Sequence, residues 1–241
     1  MRYGIFSDIH SNREALDTVL SAFDSEDIDM FFCVGDIVGY GAQPVDCIAR
    51  VRNIPAIFIA GNHDQAVAGL FPIELFNPDA REAVDWTRDR LSREDIAFLS
   101  GLRLVYRDEP LTLVHGTLDE PAEFHYLTDI SAAKATFALL ETEVCFVGHT
   151  HVAEVYEQDG TDISLRLPGT VELGGGRRYI VNVGSVGQPR DGDPRASYCV
   201  FDTEKRTIEM RRVEYDARSA ARKIIDAGLP PFLGDRLLYG R

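Results

Sequence analysis

The chain has 241 residues, 39 acidic against 25 basic, for a formal net charge of −14 at pH 7, with 45% hydrophobic and 27% charged residues. These proportions are those of a folded globular chain and exclude disorder, collagen and coiled coil over its whole length. Acidity on this scale argues against docking along a nucleic-acid backbone or on an anionic membrane, and it repels phosphate-bearing ligands unless positive charge is placed in the site.

The N-terminal half alternates strand and helix patterns. Residues 3–6 form a short apolar run with no leader pattern before it. Residues 12–23 repeat Ala15, Leu16, Val19, Leu20 and Phe23 at helical spacing. Residues 30–34 are apolar and close on Gly35; residues 45–51 follow Pro44 as a short helix; residues 56–60 are apolar and close on Gly61. Runs that are apolar throughout predict strands covered on both faces, as in parallel βαβ units. Helices are predicted over 78–90 and 93–99, the second capped by Ser92. Residues 102–106 and 111–114 flank Asp108-Glu109-Pro110 as a hairpin. A helix over 130–140 and a buried strand over 144–147 follow. The remainder is strand-rich: 152–158 and 163–167 about the Asp159-Gly160 turn, then 179–183, 196–201 and 207–213, and a helix over 215–226. This order predicts an α/β chain of one domain over 1–241, two packed sheets with helices outside, in which 215–241 is a C-terminal helix and docking tail. Cys33, Cys47, Cys145 and Cys199 form no CxxC pair, so they read as reduced buried thiols. No apolar run approaches the ~20 residues of a membrane span, and the expected location is cytoplasmic.

Six histidines are present, and five of them, His10, His63, His115, His149 and His151, each follow a strand-like run. Asp8, Asp36 and Asn62 sit in the same kind of place. Ligands of open α/β sheets bind beyond the carboxyl ends of the strands, so these side chains are candidates for one convergent site. Each segment alone is weak evidence. Asp8-Ile9-His10 is by itself a solvated turn, and a histidine at a strand end is usually only hydrogen-bonded. Gly148-His149-Thr150-His151 is the most specific, because residues two apart on an extended segment point the same way.

Taken together, Asp8-Ile9-His10, Gly35-Asp36, Gly61-Asn62-His63-Asp64, His115 and Gly148-His149-Thr150-His151 resemble the motif set of the calcineurin-like metallophosphoesterases. The resemblance implies a four-layer αββα sandwich of two mixed sheets flanked by helices. It implies two divalent metal ions per chain, one held by Asp8, His10 and His151, the other by Asn62, His115 and His149, with Asp36 bridging. Such an N and O donor set suits Mn²⁺, Fe or Zn²⁺. Two ions ~3.5–4 Å apart clamp an in-line displacement, and a metal-bridging hydroxide would attack phosphorus. His63 would protonate the leaving oxygen or stabilise the transition state.

The sequence departs from relatives in Gly35-Asp36-Ile37-Val38-Gly39-Tyr40-Gly41. Tyr40 stands where phosphoprotein phosphatases and symmetrical dinucleotide hydrolases carry an arginine. Gly39 stands where the former keep the aspartate that orients the catalytic histidine. This form resembles a bacterial and archaeal branch of small phosphoesterases, as does the segment from Asn182 to Asp191. Ser185 and Arg190 in that segment are candidate phosphate contacts, or the segment is a structural turn. Asn12 is a third candidate, or a helix cap. His125 is a surface residue or a lid contact, and Gly174-Gly175-Gly176-Arg177-Arg178 a hairpin loop or a basic flap. The expected function is a binuclear phosphoesterase acting on a small phosphate ester or nucleotide. Alternatives are a phosphoprotein phosphatase, a dinucleoside polyphosphate hydrolase or, outside catalysis, a metal-binding scaffold. Val183-Gly184-Ser185-Val186-Gly187 lacks the first glycine of a serine nucleophile elbow.

Overall fold

A computed structural model describes residues 1–241. The strands are β1 (Arg2–Phe6), β2 (Met30–Cys33), β3 (Ala56–Phe58), β4 (Val105–Asp108), β5 (Leu111–Val114), β6 (Val144–Val147), β7 (Ala153–Asp159), β8 (Asp162–Arg166), β9 (Thr170–Glu172), β10 (Arg178–Val183), β11 (Ala196–Asp202) and β12 (Thr207–Val213). The helices are α1 (Arg13–Phe23), α2 (Pro44–Val51), α3 (Asn62–Val67), α4 (Pro78–Arg88), α5 (Arg93–Ser100), α6 (Ile130–Leu139), α7 (Ala217–Asp226) and α8 (Pro231–Asp235). The strands form two six-stranded mixed sheets, ordered β3-β2-β1-β11-β12-β9 and β4-β5-β6-β10-β7-β8. None of the helices is long and apolar enough to cross a membrane.

The layers follow from where each strand's side chains can hide. Ile5, Phe32, Val34, Leu113, Phe146, Val181 and Phe201 interlock between the sheets. The outer face of the first sheet is covered by Leu16, Val19, Leu20 and Phe23 of α1 and by Cys47, Ile48 and Val51 of α2. Ala133 and Phe137 of α6 cover the second through Cys145, Val147, Tyr156 and Ile180. A strand such as β6, Val-Cys-Phe-Val, is therefore buried on both faces, which is why its sequence shows no alternation. All four cysteines are buried and unpaired. The fold is thus the expected four-layer αββα sandwich.

Several elements differ from the expectation. The strand expected over 102–106 starts at Val105, because Arg103 makes a parallel bridge to Ile59 in the other sheet's direction instead. The β7–β8 turn lies one residue later than expected, with Asp159 paired to Asp162 and Gly160 taking φ +60. The polar run after β3 is the first turn of the fully buried helix α3, and β9 adds an unexpected edge strand to β12.

The parallel pairs place the site. β1, β2 and β3 run parallel, as do β5, β6 and β10. Asp8 and His10, Asp36, Asn62, His115, His149 and the segment from Ser185 to Arg190 each follow the carboxyl end of one of these strands.

Candidate metal centre

The loops that carry the candidate ligands are strained. Asp8, His10, Asp36, His149 and His151 all have φ between 47 and 69, a region L-residues avoid. Five of the seven expected ligands therefore lie among the chain's eleven non-glycine residues of positive φ. Such strain persists only where surrounding structure over-determines it, and it clusters at functional sites. The loops hold one another through backbone bonds: Asp8 N–H donates to Gly35 O and His10 N–H to Asp36 O, both at 3.0 Å. Gly61 is required by this closeness, since a β-carbon there would overlap the Asp36 carboxylate.

The side chains converge in two sets that share Asp36. Asp8, His10, Asp36 and His151 offer ligand atoms all within 4.8 Å of one another, as do Asp36, His115 and His149. Asp8 Oδ1 lies 3.1 Å from His151 Nε2 and 3.5 Å from His10 Nε2. Asp36 Oδ2 lies 3.3 Å from His115 Nε2 and 3.5 Å from His10 Nε2, while Asp36 Oδ1 accepts from the His63 N–H at 2.9 Å. The Nδ1 atoms of His10, His115 and His151 each meet a backbone carbonyl, of Val38, Val34 and Gln188, at 3.1, 2.7 and 2.6 Å. A carbonyl only accepts, so each Nδ1 carries a hydrogen and each Nε2 is the nitrogen turned inward.

This donor set fits divalent cations. His10 Nε2 and His151 Nε2 stand 2.9 Å apart, two lone pairs that repel unless a cation or proton lies between them. Asp8 Oδ1, Asn62 Oδ1 and His115 Nε2 are buried without a hydrogen-bond partner. Orphaned polar atoms are rare in protein interiors, and these three meet among the candidate ligands. Burial works against the charged carboxylates, yet His151 and His10 hold Asp8, and His115 and His63 hold Asp36, well below the usual range. His149 is pushed down to about 3 by burial and His115, and His151 to about 3 by burial and Arg190. Both are therefore neutral donors at pH 7. His115 is the exception: burial is outweighed by Asp36 and Asp8, which raise it to about 9.

The calcineurin-like phosphoesterase superfamily domain matches residues 1–206. The chain belongs to this superfamily. An uncharacterised protein of Methanocaldococcus jannaschii is 38% identical over 242 residues, spanning 98% of this chain and 97% of the relative. A metallophosphoesterase from Sphaerobacter thermophilus is 39% identical and superposes with a TM-score of 0.89, covering 100% of this chain and 99% of that one. A hypothetical protein from Pyrococcus horikoshii shares the fold at 20% identity, with a TM-score of 0.78 over 100% and 98% of the two chains.

In this calcineurin-like phosphoesterase the metal-side residues open onto a cavity of about 430 Å³. Asp36, Asn62, His63, His149, His151 and Arg190 line it. Arg190 lies 5.4 Å over the Tyr40 ring, its Nη2 donates to Gln188 Oε1 at 2.7 Å, and its Nε is buried without a partner. The other two candidate phosphate contacts are committed elsewhere. Asn12 accepts from Ala15 N–H at 3.1 Å as the cap of α1 and donates to Gly187 O at 2.8 Å. Ser185 Oγ donates to Asp8 O and accepts from Gln188 N–H, each at 2.8 Å. Both are buried and support loops, so a phosphate contact from this group rests on Arg190. His125 is exposed at the rim near Glu120. Arg177 and Arg178 form no free flap, since Arg177 pairs with Glu157 and Asp159, and Arg178 donates to Gln158.

Sequence reasoning missed Tyr126, which stacks on the His149 ring at 3.9 Å and 17°, and Phe76, which packs edge-on against His63 at 4.8 Å. Their one sequence signal is aromatic residues in the loops after the Asn62–His63 and His115 motifs. Asp64 stands in a motif without an expected role; its carboxylate accepts from Ile37, Val38 and Gly61 N–H at 2.9, 3.2 and 3.1 Å.

Proposed function

We propose that the chain is a metal-dependent hydrolase of small phosphate esters, with two divalent cations held about Asp36. The observation that carries this reading is the pair of ligand sets meeting at one carboxylate, with inward atoms of Asp8, Asn62 and His115 that have no hydrogen-bond partner inside the protein. Asp8, His10 and His151 would hold one cation and Asn62, His115 and His149 the other, with Asp36 within reach of both sets. The oxygen and imidazole donors favour Mn²⁺, with Fe or Zn²⁺ as substitutes. When bound, the ions supply Lewis-acid stabilisation of the phosphoryl oxygens and a water acidic enough to serve as nucleophile at neutral pH.

The remaining steps belong to the chain itself. Arg190, in the lining of the cavity, offers a cation to a phosphoryl oxygen. His63 is kept neutral, because burial outweighs the pull of Asp36 and its pKa lies well below the ordinary value. Its Nδ1 edge faces Gly39, leaving Nε2 as the nitrogen on the pocket side. A neutral imidazole there donates a hydrogen bond to the leaving oxygen as negative charge develops, an effect typically worth ~10²–10⁴-fold. A cavity of about 430 Å³ has the size of a site for a small ester or nucleotide.

The test is turnover of aryl phosphomonoester and phosphodiester substrates by protein stripped with EDTA and reloaded with Mn²⁺, alongside metal counting. The expected result is two Mn²⁺ per chain, no turnover without metal, and loss of both on Asp36→Asn. Full turnover after stripping, or wild-type metal content in Asp36→Asn, overturns the reading.

A further inference from the structure

Two loops that this chemistry leaves unused line the cavity beside the candidate ligands. One carries Phe71, Leu75 and Phe76, the other Phe124 and Tyr126. Their rings form a connected arc. Phe76 and Phe71 meet edge to face at 6.0 Å, and Phe71 and Phe124 at 5.2 Å. The arc ends on His63 through Phe76, at 4.8 Å, and on His115 through Phe124, at 5.9 Å. Tyr126 is held flat on His149 yet stays 55% exposed, and Leu75 is 68% exposed. Apolar surface left wet inside a concave site is recovered when a ligand covers it, and ring faces at these spacings suit a planar partner.

Charge limits the other end of the ligand. Arg190 is the only lysine or arginine lining the cavity, and Glu123 adds a carboxylate to the lining. One cation beside the metal centre answers one phosphate. A second phosphate finds no further lysine or arginine among the lining residues.

We propose that this cavity selects phosphate esters whose alcohol carries a planar aromatic ring, of the nucleoside monophosphate kind, with the ring against Phe71, Leu75, Phe76 and Tyr126 and the single phosphate between the metal centre and Arg190. The proposal rests on the hydrolase reading above and narrows it against polyphosphate-bridged and sugar-only esters.

The experiment compares adenosine 5′-phosphate with ribose 5-phosphate, each as the monoester and as its methyl diester. The same primary alcohol leaves in both, so intrinsic reactivity is matched and only the ring differs. Binding to Mn²⁺-loaded protein is measured by calorimetry beside kcat/KM. The adenosine ester is expected to bind and react about tenfold or more better, the scale of one base stacked on an aromatic side chain. Leu75→Asp, at an exposed position, is expected to bring that ratio toward one. Adenosine 5′-diphosphate is expected to bind no more tightly than the monophosphate. Equal binding of the adenosine and ribose esters, no binding of either, an unchanged ratio in Leu75→Asp, or tenfold tighter binding of the diphosphate overturns the proposal. The two readings fail separately. A tenfold binding preference without hydrolysis of any ester rejects the hydrolase and keeps the ring subsite. Hydrolysis of all four with equal binding keeps the hydrolase and rejects the subsite.

Discussion

His63 has no carboxylate behind it. Its Nδ1 is buried without a partner, and its ring is fixed by Tyr40 at 4.4 Å, Phe76 at 4.8 Å and His10 at 4.9 Å between centroids. Gly39, at φ +98, gives the ring its room, since a β-carbon there would overlap Nδ1. Packing, not a hydrogen bond to a side chain, holds this ring. Gly39→Ala is therefore expected to displace the imidazole and lower kcat by about 10²-fold with two Mn²⁺ still bound, as small misplacements of a reacting group do. Turnover and metal counting on the same sample check it; unchanged kcat contradicts it. His115 makes a pH prediction with a definite sign. It keeps a proton up to about pH 9, and a cation needs the same lone pair. Mn²⁺ affinity should therefore rise about tenfold per pH unit between pH 6 and 8, with proton release on binding, and level off above 9. Titrations at three pH values check this, and a flat profile contradicts it.

At the scale of elements, short connections rather than long helices hold the site. Asp64, in the first turn of α3, takes three backbone N–H groups from the loop carrying Asp36 and from Gly61. Burial and the Asp36 charge push its pKa up to about 7, against the pull of those donors. Removing the acceptor leaves buried donors unpaired, each costing ~1–3 kcal/mol. Asp64→Ala is expected to lose about 3 kcal/mol or more of stability and to weaken Mn²⁺ binding, because Asp36 and Asn62 sit on the two loops it ties. Urea unfolding and metal titration check it; wild-type values in both contradict it. Asn12 does the same on the other side, joining the start of α1 to Gly187. Asn12→Ala should cost ~1–2 kcal/mol through the lost cap.

Over the whole molecule, the C-terminal segment is part of what shapes the cavity. Ala220, Ile224, Leu229, Leu233 and Leu237 pack with Ala80, Ala83 and Tyr40, the last of which lines the pocket. Trp86 Nε1 donates to Ala227 O at 3.1 Å, and Gly192 N–H to Gly240 O at 2.9 Å, so the segment also grips the loop that follows Arg190. Leu237 is buried, and Leu237→Ala is expected to cost ~2–5 kcal/mol by the cavity it leaves, with a raised KM because Tyr40 and Arg190 lose their backing. Denaturation and steady-state kinetics check this, and a variant unchanged in both contradicts it.

Composition and the alternation of short apolar runs with helical spacing were enough to predict one α/β domain of two packed sheets, and the resemblance of the motifs at the strand ends identified the superfamily. Those signals are local: a strand covered on both faces must be apolar throughout, and a ligand at its carboxyl end must follow it directly. The helix α3 escaped because it is buried all round and carries no amphipathic stripe. Only the tertiary structure decided that Asn12 and Ser185 spend their hydrogen bonds inside the protein, that His63 is oriented by rings and that Phe71, Leu75, Phe76 and Tyr126 form one wall. Each of these depends on segments far apart in the chain meeting across the ends of two sheets. That meeting is set by packing between the layers, which no short stretch of sequence records.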